Sequence, residues 1–146
     1  MFETLLRRLL APAPAPLADT DARLALAALM VRIARADGHY DPAEVARIDR
    51  LLAGRYGLDA AAAAALRAEA EVLETEAPDT VRFTRAIKDA VPYEDRRRLM
   101  EALWSVALAD GARDDGEDRL LRLVANLLGV TDRDSALARQ RAGGAP

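Results

Sequence analysis

The sequence contains no cysteine, which excludes a disulfide framework, a thiolate metal site and a thiol nucleophile. Aromatic residues occupy only 4% of the 146 positions and histidine occurs once, so a core built on large rings and a histidine-rich metal site are both ruled out. Positive charge is not in excess: 21 basic residues stand against 24 acidic ones, for a formal charge of −3. The broad cationic field that holds a phosphate backbone is therefore missing, and nucleic acid is not an expected partner. Long apolar runs are missing too. No stretch approaches the roughly 20 residues needed to span a bilayer, and Glu3, Arg7 and Arg8 interrupt the apolar start, which denies it the hydrophobic stretch of a secretory signal. With the lack of cysteine, these features point to a cytoplasmic location. No segment alternates in the manner of a strand.

What is abundant is aliphatic. Hydrophobic residues make up 51% of the chain, much of it Ala, the strongest helix former, which predicts closely spaced helices packed through Leu, Val, Ile and Ala. The length suits one domain with a single core. Residues 1–18 read as a short amphipathic helix over 2–10 followed by a Pro/Ala-rich spacer of polyproline character. Residues 19–140 read as the helical domain and 141–146 as a flexible tail. Membrane contact by residues 1–10 is the lesser reading of that first piece; packing or fraying is the simpler one.

Within the domain the breaks carry capping chemistry. A first long helix presents Leu26, Leu29, Met30 and Ile33 on one face and ends at Gly38; a second runs from Pro42 to about Tyr56, burying Val45, Ile48, Leu51 and Leu52, and stops at Gly57. Asp59 is the expected N-cap of a third helix and Asp79 that of a fourth, which carries Phe83 and Ile87. A fifth starts near Pro92, presents Leu99, Leu103 and Val106, and ends at Gly111. A sixth covers about 115–128, and Thr131 with Asp134 marks the start of a short last helix.

The chain repeats itself. Residues 36–44, ADGHYDPAE, align with 109–117, ADGARDDGE, matching Asp37 with Asp110, Gly38 with Gly111, Asp41 with Asp114 and Glu44 with Glu117 at a constant offset of 73. Downstream, Ile48 and Leu51 meet Leu121 and Val124, and a one-residue slip brings Gly57 onto Gly129. The repeated unit is a helix, a DGxxDxxE loop and a helix.

Much of this motif is local structural chemistry. Gly38 and Gly111 stand where a helix ends on a left-handed residue. Asp41, Pro42 and Glu44 supply an N-cap, a first-turn proline and a carboxylate at the third position; Asp114 to Glu117 repeats this less regularly, with Asp115 and Gly116 in the first turn. Asp37 and Asp110 do not fit that account. A carboxylate in the last helical turn faces the negative end of the helix dipole, at a cost of roughly 0.3 to 1 kcal/mol. Either hydrogen bonds from loop amides or an Arg offset this, or a cation does. In the cation case the ligands are Asp37, Asp41, Glu44, Asp110, Asp114 and Glu117, all hard oxygen donors, and the ion is Ca²⁺ or Mg²⁺, with Mn²⁺ also suited. An EF-hand is excluded, because the twelfth loop position, which must be Glu, is Ile48 or Leu121.

The paired ADG loops resemble those of the tellurite-resistance TerB-like family, whose domain also forms the N-terminal part of the DjlA co-chaperone. The text between them is similar to a bacterial branch of that family with no established activity: PheThrArgAlaIle at 83–87, TyrGluAspArg at 93–96 and LeuMetGluAlaLeuTrpSerValAlaLeuAlaAspGly at 99–111. The likeness spans about 24–139. It implies an all-α bundle of about seven helices, with two pseudo-symmetric helix-loop-helix repeats that bring the acidic loops to the surface. It also implies association with stress responses, and a suspected metal-binding role.

The remaining residues carry little chemistry. His39 has Ala112 as its counterpart and reads as an exposed loop residue; Trp104 reads as core. Arg96, Arg97 and Arg98 form a basic run, with Glu94–Arg98 and Arg97–Glu101 expected to pair at four-residue spacing. Ser105 and Ser135 have no His partner in sequence, and neither a nucleophile elbow nor a phosphate-cradling loop occurs. No catalytic residue is assigned. The expected function is a non-enzymatic module that docks a protein partner through the acidic loops; the alternative is a divalent-cation-binding protein, and the remote one a metal-dependent hydrolase.

Overall fold

A computed structural model of the chain describes residues 19–36, 38–76, 80–109 and 115–144. Seven helices and no strands occur among them: α1 Asp19–Arg35, α2 Pro42–Tyr56, α3 Ala60–Glu76, α4 Thr80–Ala90, α5 Tyr93–Ala107, α6 Asp115–Leu127 and α7 Asp132–Gly144. The expected helix over 2–10 and the Asp79 cap lie outside the described residues.

The expected single apolar face of α1 is too narrow a description. Ala25, Ala27, Ala28 and Val31 are as fully buried as Leu26, Leu29, Met30 and Ile33. A helix with so wide an apolar surface is one largely surrounded by protein: α1 packs against α2, α3, α4, α5 and α6. Its alanines let the neighbours approach closely. Phe83 and Ile87 of α4 close one side of this core, and Leu99, Met100, Leu103 and Val106 of α5 another.

The two halves repeat one arrangement, α1–α2–α3 and α5–α6–α7, with α4 between them. α3 packs against α1 as α7 packs against α5, and α1 also touches α5. Matching details confirm the register. Gly57 and Gly129 both take positive φ, 64° and 73°, and the next amides close the same wide turn, Leu58 to Ala53 O at 3.0 Å and Val130 to Ala125 O at 2.9 Å. The following helices are capped alike. Asp59 Oδ1 accepts the Ala62 amide at 2.7 Å, and Thr131 Oγ1 accepts the Asp134 amide at 3.1 Å. Each such cap contributes about 1 kcal/mol.

Three local expectations change. Val45 and Leu51 are only partly buried, because Ile48 and Leu52 alone face the centre of the bundle. The last helix is not short: it continues to Gly144, into the stretch read as a loose tail, because Ala142 packs against the core and Gly143 lies so close to α5 that a Cβ there would stand 2.9 Å from Leu108 Cδ1. In the basic run, Arg97 pairs with Glu94 at 2.9 Å and Arg98 with Asp95 at 3.2 Å, three-residue spacings in place of the expected four. Both spacings bring side chains together on a helix, and Arg97 is also shared with Asp134 of α7 at 3.6 Å. Arg96 turns away from its neighbours, donating to Val91 O at 2.8 Å and Lys88 O at 3.3 Å at the C-terminal end of α4.

Candidate functional site

The first acidic loop joins α1 to α2. α1 closes with a turn in which the Gly38 amide donates to Arg35 O at 3.0 Å, and Gly38 takes φ +83°, the left-handed conformation expected of it. Asp41 is extended (φ −73°, ψ 151°) and begins α2, with Pro42 in its first turn. The Glu44 carboxylate reaches back so that Oε1 accepts the Asp41 amide at 3.2 Å, completing a capping box. Glu44 is only 1% exposed, so its carboxylate is structural on the inner side of the loop. His39 is exposed, as expected.

Asp37, Asp110 and Asp114 lie outside the described residues, as does the side chain of Glu117. Of the six candidate ligands, the structure thus places Asp41 and Glu44, both in the capping box. Among the described residues no three acidic or His side chains converge to hold a metal ion.

Sequence reasoning missed a link between the two repeats. Arg47, on the second turn of α2, donates through Nη1 to Ser105 Oγ at 2.6 Å and to Ser105 O at 3.3 Å. Ser105 is in the last turn of α5. The helix that follows the first loop is thus clasped, near its start, to the last turn of the helix that precedes the second.

A second group ties α2 to α3. Arg67 pairs with Asp49 at 2.6 Å and with Glu71 at 3.1 Å. Tyr40 donates its hydroxyl to Glu71 Oε2 at 2.7 Å, and Arg35 lies over the Tyr40 ring at 5.0 Å. Burial, then the bond to the Glu71 carboxylate, pushes the Tyr40 hydroxyl well above the ordinary tyrosine value. Further along, Glu74 binds Arg32 at 3.1 Å and Arg35 at 2.6 Å, fixing α3 to the end of α1.

The corresponding region of the second half is open. A cleft of about 790 Å³ runs between α5, α6 and α7, lined among others by Trp104, Leu108, Arg122, Ser135, Arg139 and Gly143. Trp104 is buried, as expected of a core residue, and its Nε1 donates to Ser135 Oγ at 3.2 Å. Ser135 is thereby engaged with an indole, as Ser105 is with Arg47, and among the described residues neither hydroxyl is hydrogen-bonded to a His or a carboxylate.

A family model described as tellurite resistance protein TerB matches residues 23–140. The chain belongs to this family. No curated protein and no solved structure gives a match. The matched span of the TerB domain runs from the core helix α1 into α7 and includes both DGxxDxxE loops, within one residue of the limits read from the motifs. Among the described residues no helix is long and apolar enough to cross a membrane.

Proposed function

We propose that this TerB domain is a non-enzymatic interaction module in a stress response, docking a protein partner at the end of the bundle that bears the two acidic loops. The observation that carries this reading is the Arg47–Ser105 clasp, which fixes the helix ends beside both loops against each other, so that one partner can touch both. Membership in the TerB family supports it, as does the engagement of Ser105 by Arg47 and of Ser135 by Trp104, neither of which is a general base for a nucleophile.

The test is a photo-crosslinking amino acid placed in cells at His39, in the first loop, or at Arg55, near the far end of α2 and about 20 Å along the helix from Pro42. A defined adduct from His39, absent from Arg55 and lost in Asp37→Asn/Asp110→Asn, supports the acidic end as the docking surface. Equal adducts from both positions, or none from His39, overturn it.

The second reading, a Ca²⁺ or Mg²⁺ ion held by the same loops, is favoured by the carboxylate that the sequence repeats two and three positions beyond the C-terminal ends of α1 and α5, the end that the helix dipole makes negative. Calorimetric titration of Ca²⁺, Mg²⁺ and Mn²⁺ separates the two. Heat and thermal stabilisation at millimolar ion, both lost in Asp37→Asn/Asp110→Asn, establish the ion. Their absence, with the crosslink retained, leaves docking through the carboxylates themselves.

A further inference from the structure

We infer that the cleft between α5, α6 and α7 binds a small organic anion: an oxyanion head group, carboxylate or phosphate, carried on an apolar body. The two halves of the chain differ in the charges they carry here. Beyond Gly57 and Gly129 the repeat runs at an offset of 72, which sets Arg67 opposite Arg139 and Glu71 opposite Gly143; in the first part of the preceding helices, at 73, Asp49 stands opposite Arg122. In the first half the arginine is neutralised by two carboxylates, at 2.6 and 3.1 Å. In the second half one of those carboxylates has become a second arginine and the other a glycine. The two cations face the same cleft, and among the described residues neither has an ion-pair partner.

The guanidinium of Arg139 lies over the Trp104 ring, 5.2 Å from its centroid, and Trp104 is itself fixed by its bond to Ser135. A stacked guanidinium keeps its N–H edge free, in the planar fork that matches carboxylate or phosphate. Asp118 and Asp132 also line the cleft, but among the described residues neither is paired with Arg122 or Arg139, and Asp118 is itself engaged elsewhere. Trp104, Leu108 and Ala125 supply the apolar surface, and about 790 Å³ lies within the range of small-ligand pockets, roughly 300 to 1,000 Å³. Two guanidinium groups without a direct ion pair, beside an apolar wall, fit an anion with an apolar body.

The chain's one tryptophan sits in the cleft, so its emission reports occupancy. The experiment titrates the full chain, at constant ionic strength, with phenyl phosphate, benzoate, inorganic phosphate and the neutral benzyl alcohol, reading Trp104 fluorescence and calorimetric heat in parallel. The expected result is saturable binding of phenyl phosphate or benzoate, with the stronger of the two naming the head group. Inorganic phosphate should bind more weakly and benzyl alcohol not measurably. Arg122→Gln and Arg139→Gln should each raise Kd about tenfold or more, equivalent to losing one charge-assisted contact. Arg122→Asp recreates the pairing seen between Asp49 and Arg67, and should abolish binding without lowering the melting temperature. No saturable signal from either aromatic anion up to about 10 mM, a dissociation constant too weak for a built site, overturns the inference. So does unchanged affinity in the Arg122 variants, or tighter binding of benzyl alcohol than of the anions.

Discussion

Replacing Arg67 and Arg139 in turn by Met tests whether equivalent arginines do different work in the two halves. Met keeps most of the aliphatic stem that packs in each place and removes only the guanidinium. At Arg67 two charge-assisted bonds are lost, at 2.6 and 3.1 Å, from side chains that are 18%, 27% and 25% exposed. Allowing for solvent screening at that exposure, each contributes about 1 kcal/mol, so Arg67→Met should cost about 2 kcal/mol. At Arg139 only the stacking on Trp104 is lost, worth about 0.5 to 1 kcal/mol. For a domain of this size about 1 kcal/mol corresponds to roughly 3 to 4 °C, which predicts shifts of about 6 to 8 °C against about 2 to 4 °C. Urea unfolding followed by far-ultraviolet circular dichroism measures both, and an unchanged denaturant slope confirms that the same structure melts. Equal costs at the two positions would refute the contrast between a neutralised arginine and an unpaired one.

Three further outcomes are expected. The Tyr93 hydroxyl, 2.7 Å from Asp134 Oδ2, holds that carboxyl below the usual carboxylate range, with help from Arg97 and Thr131. A depressed folded value stabilises above the unfolded value and loses its effect as pH falls through the folded one, so the stability gap between wild type and Tyr93→Phe should be constant from pH 7 to 5 and narrow below about pH 4 in acid-scanned melts; a gap that stays flat to pH 2 contradicts the assignment. Glu44→Ala should cost about 2 kcal/mol in chemical denaturation, since it removes a buried side chain together with half of the capping box; a neutral result would show that this carboxylate serves the loop's outer surface alone. Gly57→Ala should cost about 1 to 2 kcal/mol through backbone strain alone, because φ is +64° there and no atom lies within 4 Å of the added Cβ; a melt identical to wild type would mean the left-handed stop is not maintained.

The fold was legible because its punctuation is chemical. Asp59, Gly57, Pro92, Thr131 and Gly129 are residue types whose backbone preferences mark helix ends, and they do so without tertiary context. The Gly38 turn and the Asp41–Glu44 box were readable for the same reason. What could not be read was anything set by contacts between helices. Nothing in periodicity distinguishes α1, buried over most of its circumference, from an ordinary surface helix with alanines on its outer face. The Arg47–Ser105 clasp joins residues 58 positions apart, and no local pattern announces it. The cleft was half visible: carrying the repeat past its one-residue slip brings Arg67 onto Arg139, and the exchange of Asp49 for Arg122 could have been noticed there. That the exchange opens a cavity required the packing of α5, α6 and α7.

The burial of most of α1 couples the duplicated halves of the chain. α1 belongs to the first repeat, yet it touches α4, α5 and α6 as well as its own α2 and α3. Neither repeat can therefore close a core by itself, and the doubling of the motif yields one cooperative unit and not two beads. Amide hydrogens in the middle of α1 should exchange with solvent only through global opening, at the same free energy as those of α5. A break in the chain between the halves would leave two fragments that fold only in each other's presence.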